Sequence, residues 1–101
     1  MDEQIEQYLT VLQVESGCAI NTVAAYRRDL NKLQTFLRKE GIEDARGLTK
    51  PLWLRFLSGL KTAGLSSASL ARCLASARGF YKWMSQHLGY SEAEGFFKGV
   101  P

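Results

Sequence analysis

The stretch N-T-V-A-A-Y-R-R-D-L-N-K-L-Q-T-F-L-R-K-E, residues 21–40, decides the fold class, because its apolar residues recur every three or four positions. These residues are Val23, Tyr26, Leu30, Leu33 and Leu37. Such spacing places them on one face of an α-helix. Gly41 follows, and a glycine just past the last periodic residue is typical of a helix end. The stretch therefore predicts a helix over residues 21–40.

Three further segments show the same period, and each is followed by a glycine. Thr49 is a good N-cap for one of them, with a proline in the first turn, where its missing N–H costs little. No segment alternates polar and apolar residues over enough positions to make a strand. The predicted segments are residues 2–15, 50–63 and 67–88.

A chain of 101 residues is long enough for one modest core. The sequence therefore predicts an all-α fold, a compact four-helix domain over residues 1–90, followed by a tail at residues 91–101. The predicted core consists of Tyr8, Leu12, Tyr26, Leu30, Leu33, Phe56, Leu60, Leu74, Ala77 and Tyr81.

Composition excludes several classes of function. The start, M-D-E-Q-I-E-Q, is too polar for a signal peptide, and no apolar run reaches membrane-spanning length. Cys18, Cys73 and the single histidine, His87, do not supply the four ligands that a structural zinc site needs. We therefore expect a cytoplasmic protein with reduced cysteines, and no metal, cofactor, small-molecule ligand or membrane partner.

The charges are distributed unevenly along the chain. Residues 1–20 contain four acids and no base, whereas residues 21–40 contain five bases and two acids. From Ala45 to Ser91 there are seven bases and no acid. Such asymmetry indicates that one face of the fold meets a polyanion.

Two arginines of the second helix, Arg27 and Arg28, must face outward if Tyr26 lies on the apolar face. Two explanations fit them. They are an ordinary solvated face, with Asp29 and Glu40 available for local pairing, or they hold a negatively charged partner. Residue types alone favour the solvated face.

The fourth helix raises a similar question about its small residues. Opposite its predicted apolar face lie Arg72, Ala75, Ser76, Gly79 and Lys82, with Arg78 alongside. Small residues between bases suit a helix that approaches a DNA groove, where most contacts go to phosphates. The same small residues also suit close helix–helix packing, and the sequence does not decide between the two.

Two motifs together indicate a family. The pattern at residues 21–30, followed by G-L-S-S-A-S-L-A-R-C-L-A-S-A-R-G-F-Y-K-W-M at residues 64–84, resembles the N-terminal core-binding domain of tyrosine recombinases. The XerC/XerD branch is the closest match, and the chain looks more like XerC than XerD. The resemblance runs from about Ile5 to the final K-G-V-P. The positions that carry it are Thr22, Tyr26, Arg27, Asp29, Leu30, Ser69, Leu70, Arg72, Leu74, Ala77, Phe80 and Trp83.

The resemblance implies a SAM-like helical domain that clamps a double-stranded recombination half-site through its second and fourth helices. It implies other recombinase subunits as partners in the full-length protein, with a role in DNA integration and recombination. Both an enzyme of chromosome dimer resolution and a phage or transposon integrase fit this resemblance, and the sequence does not decide between them. On this basis Arg27 and Arg28 are expected to contact phosphates. The predicted DNA-binding residues are Thr22, Tyr26, Arg27, Arg28, Ser66, Ser67, Ser69, Arg72, Ser76, Arg78 and Lys82.

Two departures from the family's pattern matter. Such domains usually open the second helix with Ser-Pro, whereas Ala19 and Ile20 stand here, so capping is expected to shift to Asn21 or Thr22. The family's catalytic His-x-x-Arg motif is also missing, because the only histidine reads H-L-G-Y. The chain is therefore expected to bind DNA without cutting it, as a fragment that lacks the catalytic domain. A helical protein–protein adaptor with a basic face is the alternative function.

Overall fold

The computed structural model describes residues 2–89, and it shows four α-helices and one short 3-10 turn. No strand occurs within this range, so the all-α prediction is confirmed. The predicted tail at residues 91–101 lies outside the described residues. The helices are α1 (Asp2–Val14), α2 (Ile20–Lys39), α3 (Lys50–Thr62) and α4 (Ser67–His87), and the 3-10 turn spans Ala45–Gly47.

The helix ends follow local chemistry. At the start of α3, the Leu52 N–H donates to Thr49 Oγ1 at 3.4 Å, as expected for an N-cap. After α2, Gly41 has a φ of 78°, and the next amide, of Ile42, donates back to the Leu37 carbonyl at 2.8 Å. A left-handed residue that lets the chain close the last turn is most readily a glycine.

The start of α2 corrects one expectation. The helix begins at Ile20 with Ala19 as its N-cap residue, and no side chain caps it. Asn21 and Thr22 lie inside the first turn, so the predicted capping by either of them is wrong. The helix forms without a cap because its apolar face is buried against α1 and α4.

One hydrophobic core joins all four helices. Trp53 of α3 and Phe80 and Tyr81 of α4 are its largest fully buried side chains. The Tyr81 hydroxyl donates to the Ala45 carbonyl at 2.7 Å, which ties the 3-10 turn to α4. Six of the predicted core residues are buried, and the other four are half-buried and pack against the cluster. The half-buried four are Leu12, Tyr26, Leu60 and Leu74.

The fourth helix is rotated relative to the expectation. Its buried residues centre on Cys73, Ala77 and Phe80. Ser76, one of the predicted DNA-binding residues, is completely buried, and its hydroxyl donates to the Cys73 carbonyl at 2.8 Å, so it offers no exposed surface to DNA in this fold. A Cβ added at Gly79 would overlap the Tyr8 hydroxyl. For these two small residues the packing explanation is correct.

A buried phenol and a buried thiol make the domain sensitive to alkali. Burial raises the pKa of Tyr8 to about 12 and that of the Cys73 thiol to about 11. In the unfolded chain these groups lose their protons near pH 10 and 8.5. Between these values and the folded ones the unfolded state binds fewer protons, so stability falls as pH rises. We expect the urea midpoint to be flat up to pH 8 and to fall progressively from pH 8.5 to 11.

The control for this pH dependence is Tyr8→Phe, which removes one of the titrating groups. Its urea midpoint is expected to fall less steeply than that of the wild type above pH 10. A midpoint that stays constant from pH 7 to pH 11 in the wild type would contradict the burial of these groups in solution.

Candidate nucleic-acid interface

Arg27 is paired inside the chain. Its Nε and Nη2 donate to the two carboxylate oxygens of Glu6, on α1, at 3.0 and 2.9 Å. This hydrogen-bonded guanidinium lowers the pKa of Glu6 below its ordinary value. Both side chains are about half exposed, at 44% and 57%. An exposed ion pair of this kind contributes about 0–1 kcal/mol, so a phosphate can displace Glu6 at small cost.

Arg72 is held much more firmly. Its Nε and Nη2 donate to the two oxygens of Asp29 at 2.8 and 2.9 Å, and the Asp29 side chain is completely buried. These hydrogen bonds raise the pKa of Arg72. The pair joins α4 to α2, across 43 residues of sequence. Because a buried carboxylate needs a partner, Arg72 is a structural residue whose bidentate donors are already used.

Three cations of α2 point away from the core. Arg28, Lys32 and Lys39 are exposed, and within residues 2–89 none of them has a carboxylate partner. Arg28 and Lys32 are one helical turn apart, which places their charges on the same face. Lys32 was not among the predicted DNA-binding residues, although its four-residue spacing from Arg28 was the available signal.

The exposed face of α4 also carries bases between small residues. Ala71, Ala75, Arg78 and Lys82 are all exposed on it. The predicted arrangement of small and basic residues is therefore present, but Ala71 and Ala75 provide the small side chains. Ser76 and Gly79, which were expected there, face α1 and the core instead.

Four of the remaining predicted residues lie at the starts of α2 and α4, namely Thr22, Ser66, Ser67 and Ser69. Ser66 is the N-cap of α4, since its hydroxyl accepts from the Ser69 N–H at 3.1 Å. Ser67 and Thr22 are exposed in the first turns of their helices. Tyr26 is half-buried and packs against the core cluster, as its position on the apolar face predicts.

His87 is the last residue of α4. It is exposed, its ring stacks on Trp83 with a centroid separation of 5.6 Å, and its Nδ1 lies 3.1 Å from the Trp83 carbonyl. Among residues 2–89 no group of three or more potential metal ligands comes together. Over the same range no helix combines the length and apolar character that a membrane span requires.

The fold is a small four-helix domain with exposed cations on α2 and α4. The chain belongs to the phage integrase N-terminal SAM-like domain family, whose model matches residues 5–87. The resemblance inferred from residues 21–30 and 64–84 is thereby confirmed.

The curated relatives are tyrosine recombinases. The protein named tyrosine recombinase XerD from Staphylococcus saprophyticus is 39% identical over 83 residues, 82% of this chain and 28% of the relative. The proteins of the same name from Staphylococcus aureus strain Mu50 and Staphylococcus haemolyticus are 35% and 34% identical, again over 82% of this chain and 28% of each relative. No solved structure matches significantly. The chain thus spans little more than a quarter of these relatives, and the preference for XerC gains no support from them.

Proposed function

We propose that this chain is the DNA-binding module of a XerC/XerD-like tyrosine recombinase. It clamps one face of a double-stranded recombination half-site, in a cytoplasmic protein that recombines DNA together with other recombinase subunits. Chromosome dimer resolution is the specific role that we propose for it. Residues 1–90 form the binding domain and residues 91–101 begin the linker to a catalytic domain. We assign no catalytic step to this chain.

The observation that carries the proposal is the set of exposed cations on α2 and α4, the two helices that the family resemblance assigns to DNA. Arg28 and Lys32 on α2 and Lys82 on α4 are free to pair with phosphates. Arg78 lies beside Lys82 on the same exposed face. The serines at the start of α4 add hydroxyl donors near a helix N-terminus, where phosphate oxygens are favoured. Arg27 joins this set when a phosphate replaces Glu6.

The test is the salt dependence of DNA binding by single alanine variants at residues 28, 32 and 82. Each lost phosphate contact releases about one counterion fewer, so the slope of log K against log salt flattens by about 0.9. We expect this change for Arg28→Ala, Lys32→Ala and Lys82→Ala. Sequence preference should stay nearly intact, because phosphate contacts do not read bases. Fluorescence anisotropy on a family half-site and on a scrambled duplex measures both quantities.

Two variants serve as matched controls. Lys61→Ala removes an exposed cation from the last turn of α3, and Glu3→Ala removes an exposed acid from α1. Neither should flatten the slope. Glu6→Gln should strengthen binding modestly, because it releases the Arg27 guanidinium. If the three α2 and α4 variants keep the slope of the wild type, these helices do not hold DNA and the proposal fails.

A further inference from the structure

A groove runs between α2 and α3, on the side of the domain where the α2 cations lie. Its volume is about 580 Å³, within the range of clefts that bind ligands. Phe36 of α2 and Phe56 and Leu60 of α3 line it with apolar surface. The two phenyl rings meet at a centroid separation of 5.5 Å. The floor of the groove is therefore partly aromatic, and a purely polar ligand would make no apolar contact with it.

Cations surround this floor. Arg28, Lys32 and Lys39 line the α2 side and Arg55 lines the α3 side. Arg55 is paired with Glu40, and its guanidinium lies over the Phe36 ring at 6.0 Å from the centroid. The three α2 cations have no carboxylate partner within residues 2–89. The rim therefore attracts negative charge while the floor favours an apolar side chain.

A glycine keeps the groove open. Gly59 lies within α3 and lines the groove, although glycine is less favourable than alanine inside a helix. A Cβ built at this position would meet no atom within 4 Å. Packing among the described residues therefore does not require glycine here, in contrast to Gly79, which lies against Tyr8. The missing side chain instead lets an outside group approach the α3 backbone.

We propose that this groove binds an acidic peptide segment of a protein partner, with a large apolar side chain inserted over Gly59 and carboxylates paired with the rim. A duplex groove or backbone would satisfy the rim but would leave the aromatic floor against phosphate and sugar. An acidic segment with an aromatic residue satisfies both. This interaction has a different ligand from the proposed DNA contact, but it uses Arg28 and Lys32 as well, so the peptide and DNA would compete for these two residues.

The experiment uses the full chain and a fluorescent peptide, acetyl-Glu-Glu-Phe-Leu-Glu-Glu-amide, in anisotropy titrations. Gly59→Leu places its Cβ in open space and extends its side chain into the groove, so its thermal midpoint should match or exceed that of the wild type. We expect Gly59→Leu to weaken peptide binding at least tenfold. Gly59→Ala, which improves helix propensity at least as much but leaves the groove open, should weaken peptide binding less than threefold.

The contribution of the positively charged rim to peptide binding is tested at Lys39, which is not among the residues proposed to contact DNA. Lys39→Glu should weaken peptide binding about tenfold, whereas Lys61→Glu, at an exposed position away from the groove, should leave it unchanged. A peptide with alanine in place of phenylalanine should lose most of its affinity.

Three results would overturn the proposal. They are no saturable binding of the peptide, equal binding by wild type and Gly59→Leu, and a loss of duplex DNA binding in Gly59→Leu. The last result would make the groove part of the DNA surface. If the peptide proposal fails while the salt slopes at residues 28, 32 and 82 change as expected, the DNA-binding function still stands.

Discussion

Arg72→Ala is expected to destabilise the domain by about 3 kcal/mol in urea denaturation. The variant removes the partner of Asp29, a carboxylate with no exposed surface, and breaking a buried ion pair costs about 3–5 kcal/mol. We expect the lower end of this energy range because the Arg72 side chain is 37% exposed, so water can reach part of the site. Arg72→Lys should lose a large part of the same stability, since an ammonium group cannot donate two parallel hydrogen bonds to both oxygens of the Asp29 carboxylate.

A double-mutant cycle separates the ion pair from general packing. Asp29→Leu combined with Arg72→Met replaces the pair by apolar side chains, and it should recover most of the stability that Arg72→Ala loses. If Arg72→Ala lies within 0.5 kcal/mol of the wild type, the pair does not hold α2 and α4 together in solution.

This pair also changes how DNA binding is tested. On residue types alone, Arg72 and Arg27 are equivalent candidates for phosphate contacts. In the fold, Arg72→Ala would weaken DNA binding by disturbing the packing of α2 against α4, whereas Arg27→Ala removes only an exposed pair with Glu6. A loss of binding in Arg72→Ala is therefore no evidence for a phosphate contact unless its stability is measured as well.

The sequence predicts the helices well because their signals are local. Glycines at positive φ follow each helix, and the caps at Thr49 and Ser66 form as their residue types suggest. The spacing of apolar residues in α2 places Leu30, Leu33 and Leu37 in the core. Each of these signals depends on residues within a few positions of one another, so one chain is enough to read them.

The partners of the charged residues could not be predicted, because they come from distant parts of the chain. Arg27 pairs with Glu6 and not with its neighbour Asp29, while Asp29 turns inward to Arg72. A helical wheel gives the direction of a side chain but not the identity of the helix it faces. A single sequence therefore does not distinguish an arginine in a buried ion pair, such as Arg72, from an exposed arginine such as Arg28.

The predicted orientation of α4 is wrong for a related reason. Small residues are compatible with either a close-packed or an exposed face, so Ser76 and Gly79 carried no directional signal by themselves. The Tyr8 ring determines which face of α4 is buried, because it occupies the space over Gly79. Its centroid lies 5.7 Å from that of the Phe80 ring and 6.0 Å from that of the Trp83 ring. Only the docking of α1 reveals this constraint.

Gly79→Leu is expected to destabilise the domain by about 3 kcal/mol, although helix propensity alone favours the change by nearly 1 kcal/mol. The added side chain needs the space of the Tyr8 hydroxyl and ring, whose Cζ would lie 3.3 Å from the new Cβ. Overpacking of this kind typically costs about 1–3 kcal/mol, and a buried tyrosine that packs against the Phe80 and Trp83 rings leaves little room to relax. The matched control is Gly59→Leu, the same change in α3, where a built Cβ has no atom within 4 Å.

Smaller substitutions locate the cause of this effect. Gly79→Ala should destabilise by about 1 kcal/mol, and adding Tyr8→Phe should restore part of that loss, because the hydroxyl is the atom that a Cβ would overlap. Urea midpoints of the single and double variants measure this coupling. If Gly79→Leu is as stable as Gly59→Leu, α1 does not pack over residue 79, and the small residues of α4 become available to a DNA groove after all.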